Sequence, residues 1–383
     1  MPPRLLVAGT HSGAGKTTVA VALMAAFAAR GRTVQPFKVG PDFIDPSHHR
    51  AACWRESRNL DGWMLTKAYN RATFLRAAKR ADLSIIEGVM GLFDGSSAVS
   101  DAGSTAEQAK ELQAPVLLVV DGSAMSRSAA ALVHGFATFD PDVRIAAVVF
   151  NRIRSEGHFR LLKEAVENAL DIPVIGYFPP NDQFGIPERH LGLVMANEPG
   201  WREQVYTLLG RQAEETIDLG RVEELARSAP ALSDFTEHDP QETERAQASP
   251  LRVGIARDPA FCFYYADNMD ILVREGAELV FFSPLFDRTL PAVDLLYLGG
   301  GYPELYARDL AANVSMREAV KAFAAAGGVI YAECGGLMYL AERLRDFDGV
   351  DHEMVGLLPI EVVMTLDRLT LGYRQLEVIL PCP

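Results

Sequence analysis

GTHSGAGKTT, residues 9–18, is the stretch that decides the fold of this chain. It follows the apolar run 5–8, which predicts a buried strand, and precedes an apolar helix over 19–30 that Gly31 ends. In such a strand, loop and helix unit, the glycines turn consecutive backbone N–H groups towards phosphate oxygens, and the helix N-terminus adds partial positive charge. The stretch therefore predicts a phosphate-binding loop at the edge of an α/β sheet.

Two residues of this loop carry specific expectations. Lys16 is expected to reach the terminal phosphates, and Thr17 can hold Mg²⁺. The strict spacing G-x-x-x-x-G-K-[ST] would put its first glycine at Thr10, whereas here the glycine is Gly9. The lysine, the glycine before it and the strand and helix on either side all remain, so the prediction stands.

Composition limits the function classes. The chain has 383 residues, 49% of them hydrophobic, and we expect two domains. A net charge of −13 argues against nucleic-acid and anionic-membrane partners. The four cysteines include no C-x-x-C pair, which indicates a reducing cytoplasm without disulfides or zinc. No apolar run approaches ~20 residues and the first strand begins at once, so we expect neither a membrane span nor a signal peptide.

A polar segment, 38–50, follows a second predicted strand over 33–37. Its glycine and two prolines predict a loop at the carboxyl end of that strand, where open α/β sheets bind ligands. A solvated polar loop without function is the alternative. The charged and imidazole side chains concentrated there are Lys38, Asp42, Asp45, His48, His49 and Arg50, with a further cation at Arg58. Of these, we expect Lys38, Asp42, Asp45, His48 and Arg58 to bind substrate.

Acidic and amide side chains end two later strands. Glu87 closes a predicted strand over 82–86, where a second Mg²⁺ ligand belongs in phosphate-loop ATPases. Asp94 lies seven residues further on and brings a second carboxylate to the rim, an Asx-type turn being the alternative. Asn151 ends the strand 145–150, where its amide either reads the adenine edge or caps a turn. Strands alternate with helices throughout, which predicts a doubly wound, mostly parallel sheet.

The second half of the chain predicts another α/β domain. Composition shifts over 201–248, which we interpret as surface helices and a linker after a first domain over 1–200; the second domain occupies 249–383. Cys334 sits on a strand-to-helix elbow, where a nucleophile is held in a tight turn and a helix N-terminus favours thiolate. A small buried core residue is the alternative. Gly300 and Gly301 follow a strand and are expected to donate N–H groups to an oxyanion.

Together these motifs resemble the cobyrinic acid a,c-diamide synthase family of glutamine-dependent tetrapyrrole amidoligases. The motifs are the phosphate loop, KVGPD at 38–42, SRNLD at 57–61, 87–95, GGGYPE at 299–304 and ECGG at 333–336. The resemblance implies a dethiobiotin-synthetase-like ATPase domain followed by a class I glutamine amidotransferase domain. It also implies a role in cobalamin biosynthesis and a homodimer.

The resemblance further implies roles for particular residues. Mg²⁺ lies near Thr17 and Glu87, Lys16 and Asp94 serve catalysis, and Cys334 takes ammonia from glutamine through a thioester. The residues implied in ATP binding are Gly13, Ala14, Gly15, Lys16, Thr17 and Thr18, and those around which the macrocycle carboxylates bind are Asp42, Phe43, Ile44 and Asp45. The implied substrate is cobyrinic or hydrogenobyrinic acid, and metallated sirohydrochlorins such as the nickel form or siroheme are the alternative.

Two departures from known patterns bear on function. A partitioning-type regulatory ATPase would carry a signature lysine where this chain has His11, which disfavours that alternative. The resembled family pairs its cysteine with a histidine well beyond a segment like Gly372-Tyr373-Arg374, whereas the last histidine here is His352. We expect either a truncated sequence or a lost glutaminase, and favour truncation.

Overall fold

The computed structural model of the chain describes residues 2–181, 188–189, 192–193, 195–196, 204–232, 250–365, 372–375 and 377. The chain divides into two compact units, Met1–Asp239 and Pro240–Pro383. Within the described ranges, no helix combines the length and the hydropathy needed to cross a membrane.

The first unit alternates strands with helices. Its strands are β1 (Arg4–Gly9), β2 (Val34–Val39), β3 (Arg58–Leu60), β4 (Leu83–Gly91), β5 (Val116–Asp121), β6 (Ile145–Asn151), β7 (Val174–Phe178), β8 (Glu188–Arg189) and β9 (Gly192–Leu193). Its helices are α1 (Lys16–Ala29), α2 (Ile44–Cys53), α3 (Lys67–Ala78), α4 (Thr105–Glu111), α5 (Ser128–Phe139), α6 (Glu156–Ala169), α7 (Gln204–Thr216) and α8 (Leu219–Arg227).

Seven of these strands form one sheet in the order β3-β2-β4-β1-β5-β6-β7, and every neighbouring pair is parallel. The connections leaving β1 and β4 lead to opposite sides of the sheet, which opens a crevice at the carboxyl ends of the central strands. The predicted doubly wound, mostly parallel sheet is confirmed. The phosphate loop, which joins β1 to α1, lies at this edge.

Helix α1 is apolar all round because it is covered on both sides. Every residue from Val19 to Phe27 is buried, in a core that the helix shares with the sheet and with α7. Helix α7 contributes Val205, Tyr206 and Leu209 to that core. The helices expected at the surface within 201–248 thus carry a buried face. Residues 233–248, the part of that range in which the linker is predicted, lie outside the described residues.

The loop predicted over 38–50 is wrong in its second half, which forms helix α2. Pro46 is tolerated because it lies in the first turn, where a backbone N–H has no partner within the helix. Asp42 supplies the cap, since its Oδ1 accepts the N–H groups of Ile44 at 2.7 Å and Asp45 at 3.1 Å. The sequence prediction gave weight to the two prolines as turn residues and did not consider that Asp42 could cap a helix that begins at Ile44.

The second unit is a smaller α/β structure. Its strands are β10 (Arg252–Ala256), β11 (Glu278–Phe282), β12 (Leu295–Leu298), β13 (Val329–Ala332), β14 (Ala341–Arg345), β15 (Asp351–Glu353) and β16 (Leu358–Val363). Its helices are α9 (Ala266–Arg274), α10 (Ala307–Ala312), α11 (Val314–Ala325) and α12 (Gly335–Leu340), with a 3₁₀ turn at Pro303–Tyr306. A parallel sheet in the order β11-β10-β12-β13 carries the unit, and β14 to β16 form a separate sheet. The second α/β domain predicted from the sequence is confirmed.

Candidate active site

The phosphate loop has the backbone that its glycines were expected to provide. Gly13 and Gly15 have φ angles of +82° and +97°, a region that side chains with a Cβ rarely adopt. Gly15 is the N-cap of α1, so Lys16 and Thr17 open the helix. Ala14 is buried, and Lys16, Thr17 and Thr18 are half-buried along the loop and the first turn. The residues predicted to bind the nucleotide therefore lie together in the loop and in the first turn of α1, at a helix N-terminus.

Glu87 lies beneath this loop and is fully buried. The strand β4 continues to Gly91, so Glu87 sits inside the strand rather than at its end, opposite Lys38 of β2. Its Oε1 accepts hydrogen bonds from Thr17 Oγ1 at 2.6 Å and from Lys38 Nζ at 3.1 Å. Its Oε2 lies 2.6 Å from Nε2 of His49. One carboxylate thus joins the phosphate loop to strand β2 and helix α2.

Lys38 is the cation at the centre of this buried network. Besides Glu87, its Nζ donates to Asp45 Oδ2 at 2.6 Å and to the Gly88 carbonyl at 3.0 Å. These acceptors use all three of its donors, so Lys38 holds the site together instead of facing a substrate as predicted. Burial alone would lower the pKa of Lys38, but Asp45 and Glu87 raise it above its ordinary value, so the lysine stays charged.

The two acids on Lys38 differ in proton affinity. Burial would raise the pKa of Glu87, but the charge of Lys38 and the hydrogen bonds from His49 and Thr17 hold it below its ordinary range. Burial and the charges of neighbouring acids raise the pKa of Asp45 despite its contact with Lys38. Burial and the positive charge of Lys38 lower the pKa of Lys16. Glu87 is therefore the permanent anion next to the phosphate loop.

The residues fit a magnesium ion that is completed by a nucleotide. Thr17 Oγ1 and Glu87 Oε1 are hard oxygen donors 2.6 Å apart, and the carboxylate is anionic. Among the residues that the structure describes, no cluster of three or more His, Cys, Asp or Glu could hold a metal by itself. Mg²⁺ ordinarily takes one or two protein ligands and fills its shell with phosphate and water oxygens, so this donor set suits it.

The two histidines of α2 point into different environments. His48 was predicted to bind substrate, but its ring is buried in the core with Nδ1 2.9 Å from the Tyr206 hydroxyl, so that prediction is corrected. His49 points the other way, between Glu87 and the Ser57 hydroxyl, which lies 3.0 Å from its Nδ1. Because Glu87 is ionised, Nε2 of His49 carries the proton that the carboxylate accepts. Consecutive helical residues face different directions, which the sequence alone did not resolve.

The other predicted site residues surround this network. Asp94 is exposed, and its Oδ2 accepts the Gly91 N–H at 3.0 Å, as the turn alternative expects. Asp42 caps α2 and lies 3.8 Å from Lys38 Nζ, while Phe43 and Ile44 are half-buried beside it. Arg58 is half-buried in the edge strand β3, opposite Phe37.

Three exposed apolar side chains lie after strand β3 and in the last residues of strand β4, at the same edge of the sheet. The exposed side chains are Trp63 (42%), Met64 (47%) and Met90 (39%), which we name the apolar rim. Both segments rest on the first turn of α4, since Gly62 packs against the Glu107 carboxylate and the Val89 N–H donates to Thr105 Oγ1 at 2.8 Å. Met90 has a φ of +48°, a strained conformation of the kind that clusters at functional sites.

The second unit presents Cys334 on the predicted elbow. Cys334 joins β13 to α12 with a φ of +50° and a ψ of −115°, is exposed, and is the N-cap of the helix. Gly335 and Gly336 follow it because side chains there would overlap Pro303 and the Leu298 carbonyl. The strained backbone and exposure contradict a role as a buried core residue and suit a nucleophile.

The glycine loop after β12 faces the same cysteine. The Gly300 carbonyl accepts N–H groups from Cys262 at 2.9 Å and Phe263 at 3.0 Å. A peptide carbonyl and its N–H point in opposite directions, so the Gly301 N–H is turned towards Cys334, to which it hydrogen-bonds. The oxygen of a carbonyl group attacked by the sulfur could accept this Gly301 N–H, which is the role that the sequence predicts for the loop.

The expected thiolate is not favoured in this structure. Although the residue is exposed, the protein atoms around its sulfur desolvate it and raise the pKa of the Cys334 thiol, and the N–H groups of Gly335 and Gly301 oppose this shift. His352 pairs with Asp346, whose Oδ2 lies 2.7 Å from its Nε2, in the separate sheet of β14 to β16. A six-residue helix and two N–H groups are therefore too little to offset desolvation of the sulfur anion.

Comparison with known proteins agrees with this architecture. Residues 5–194 match the family described as the CobQ/CobB/MinD/ParA nucleotide binding domain, and residues 252–379 match the CobB/CobQ-like glutamine amidotransferase domain. Cobyrinate a,c-diamide synthase from Syntrophotalea carbinolica is 48% identical over 376 residues, which are 98% of this chain and 81% of that protein. The enzymes of the same name from Salmonella typhimurium and Priestia megaterium are 44% and 45% identical, over 98% and 97% of this chain and 81% and 80% of their own lengths.

These identities extend over nearly the whole chain and include both units, so the resemblance drawn from the motifs is confirmed. The chain belongs to the cobyrinate a,c-diamide synthase family of amidating ligases.

Proposed function

We propose that this chain uses ATP and Mg²⁺ to amidate the a and c acetate carboxylates of cobyrinic or hydrogenobyrinic acid, with ammonia from glutamine, in cobalamin biosynthesis. The observation that carries the proposal is the buried network in which Glu87 joins Thr17 of the phosphate loop to Lys38 and Asp45. The name shared by the relatives supports the choice of substrate. The nucleotide-binding match supports activation by ATP, and the glutamine amidotransferase match supports release of ammonia from glutamine.

The chemistry needs an activated acid, because a carboxylate is a poor electrophile. A substrate carboxylate oxygen attacks the γ-phosphorus of ATP, the bond to the β-phosphate oxygen breaks, and ADP leaves. Ammonia then attacks the acyl carbon of the acyl phosphate, loses a proton, and inorganic phosphate departs with the C–O bond electrons. Each turn exchanges one hydroxyl for one amino group at the expense of one ATP.

The first unit supplies positioning and charge for this transfer. Backbone N–H groups of the loop and the Lys16 ammonium bind the phosphate oxygens and stabilise the negative charge that develops on them. Thr17 and Glu87 would hold Mg²⁺, which, when bound, neutralises charge on the transferring phosphoryl group. Lys38 and His49 fix the two oxygens of Glu87, so the carboxylate stays ionised and oriented while nucleotides come and go.

The apolar rim supports a large, flat substrate. Trp63, Met64 and Met90 offer aromatic and thioether surface. Gly91, which follows Met90, pairs with Gly9 at the start of the phosphate loop, so this surface and the Lys16 ammonium belong to the same edge of the sheet. The combination matches an apolar ring with anionic groups at its edge. Asp42 and Asp45, whose carboxylates lie 3.8 Å and 2.6 Å from Lys38 Nζ, are proposed to orient the reacting acetate.

The second unit is proposed to release ammonia. Cys334 Sγ attacks the side-chain amide carbon of glutamine, the Gly301 N–H stabilises the oxyanion, and ammonia leaves with formation of a thioester that water hydrolyses to glutamate. Because its thiol pKa is raised, the cysteine loses its proton as the C–S bond forms, and the leaving amide nitrogen takes up this proton and departs as ammonia.

The test is mass spectrometry of reactions that offer each tetrapyrrole acid with ATP, Mg²⁺ and either glutamine or ammonia. We expect two exchanges of OH for NH₂ on cobyrinic or hydrogenobyrinic acid; exchange confined to a metallated sirohydrochlorin would move the proposal to that substrate. Lys16→Ala should abolish product with both nitrogen donors, whereas Cys334→Ser should stop glutamine use and spare ammonia use. ATP hydrolysis that is indifferent to every ring-bearing acid would refute the proposal.

A further inference from the structure

Two carbonyl groups of the phosphate loop are held from outside the loop. The Ala14 carbonyl accepts a hydrogen bond from Asn151 Nδ2 at 2.9 Å, and the Gly13 carbonyl accepts one from Arg152 Nη2 at 3.0 Å. Asn151 and Arg152 are the last residue of β6 and the residue after it, two strands away from β1 in the sheet. The loop is therefore supported by a strand that contributes nothing to its sequence motif.

The bond from Asn151 fixes the direction of a phosphate-binding group. In a trans peptide the carbonyl and the N–H point in opposite directions, so holding the Ala14 oxygen against β6 turns the Gly15 N–H away from β6. Asn151 is buried, and a Cβ at Gly15 would overlap its amide, so the side chain packs directly on the loop backbone. Its Oδ1 accepts the Arg152 N–H at 2.9 Å, which fixes the orientation of the amide.

Arg152 is held in turn by the neighbouring strand. Its Nη1 pairs with Asp121, the last residue of β5, and Asp121 Oδ1 also accepts the Ser123 N–H at 3.0 Å. Arg152 has a φ of +61°, which is uncommon for a residue with a side chain and places the guanidinium back over the loop. The charge pair lies at the surface, so we expect a smaller effect from it than from the buried amide.

We propose that Asn151 and Arg152 are positioning residues that hold the phosphate loop in its anion-binding form. Asn151 acts on the loop backbone and not on the adenine, the role considered for it from the sequence. The inference rests on the nucleotide-binding part of the proposed function, and it predicts that both residues matter for a ligand that has no base.

Inorganic tripolyphosphate is the probe that separates the two roles. Calorimetry on the full chain measures the dissociation constants of tripolyphosphate, ATP and ITP. Asn151→Asp keeps the shape of the side chain but puts an oxygen against the Ala14 carbonyl, so we expect about ten-fold weaker binding of all three ligands, which is about 1.4 kcal/mol. Arg152→Ala should weaken all three about three-fold.

The controls distinguish the possible failures. Asn168→Asp changes an exposed amide that donates to the Glu164 carbonyl on α6, and it should leave all three constants unchanged. If Asn151→Asp weakens ATP but not ITP or tripolyphosphate, the residue reads adenine and the inference is overturned. Unchanged tripolyphosphate binding in Arg152→Ala, a surface change that should not impair folding, overturns the part that concerns Arg152. If the unmodified chain binds neither ATP nor tripolyphosphate, the proposed function itself fails.

Discussion

The substitution Lys38→Met tests the buried network most directly. It removes the cation that lies 2.6 Å from Asp45 Oδ2 and 3.1 Å from Glu87 Oε1, and leaves two carboxylates with 0% and 8% exposure facing each other. Removing one partner of a buried ion pair destabilises a protein by about 3–5 kcal/mol, because the remaining charge keeps its desolvation penalty. Protonation of Asp45, whose pKa is already raised, offers partial relief. We therefore expect the free energy of unfolding to fall by about 3 kcal/mol.

The assay is urea unfolding of the ligand-free chain at pH 7, followed by tryptophan fluorescence. All three tryptophans, Trp54, Trp63 and Trp201, belong to the first unit, so the signal reports that unit. The double variant Lys38→Met/Asp45→Asn removes both members of the closest pair and should recover about half of the loss. A loss under about 1 kcal/mol in the single variant, or a double variant as unstable as the sum of both singles, would refute the reasoning.

Three further predictions concern single side chains. Trp63→Ala should raise the KM for the tetrapyrrole about ten-fold with an unchanged KM for ATP, whereas the exposed Trp54→Ala should change neither in the same steady-state assay. Burial raises the pKa of Glu111 to about 7, above its unfolded value, so the folded state loses stability relative to the unfolded state as pH rises from 5 to 8. Because water screens part of this effect at a half-buried position, we expect the advantage of Glu111→Gln over the parent in unfolding free energy to grow by only about 1 kcal/mol over that range, and an equal advantage at both pH values would contradict this. His49→Ala should lower kcat at least ten-fold by freeing Glu87, while His48→Ala should lower the urea midpoint and leave kcat within about three-fold; equal kcat losses would show that both act through folding.

The phosphate loop and Glu87 could be predicted from the sequence. The loop depends only on neighbouring residues, and the position of Glu87 depends on a general property of parallel sheets. A glycine-rich turn between an apolar strand and an apolar helix has few other physical explanations. The carboxyl ends of parallel strands lie at the same edge of a sheet, so residues near the ends of β1, β2 and β4 are brought together there. Thr17, Glu87 and Asp45 were brought together as expected, although they are far apart in the sequence.

Side-chain direction was the main element that the sequence left open. His48 and His49 have the same chemistry and adjacent positions, and only the rotation of α2 decides which reaches Glu87 and which enters the core beside Tyr206. That rotation depends on Asp42 as the helix cap, which the two prolines of the segment concealed. Spacing along the helix did not distinguish His48 from His49, because each lies one turn before a small residue that is buried, Ala52 or Cys53.

The sequence by itself determined the two α/β units, the phosphate loop, the strand-to-helix elbow at Cys334 and the family, because these depend on the periodicity of apolar residues and on tight turns rich in glycine. Tertiary structure decided that Lys38 neutralises Glu87 and Asp45 instead of facing substrate, and that Asn151 supports the loop. The reason is that charge pairing in a dry interior depends on distances of about 3 Å between residues from different strands, and such distances are set by packing and not by spacing along the chain.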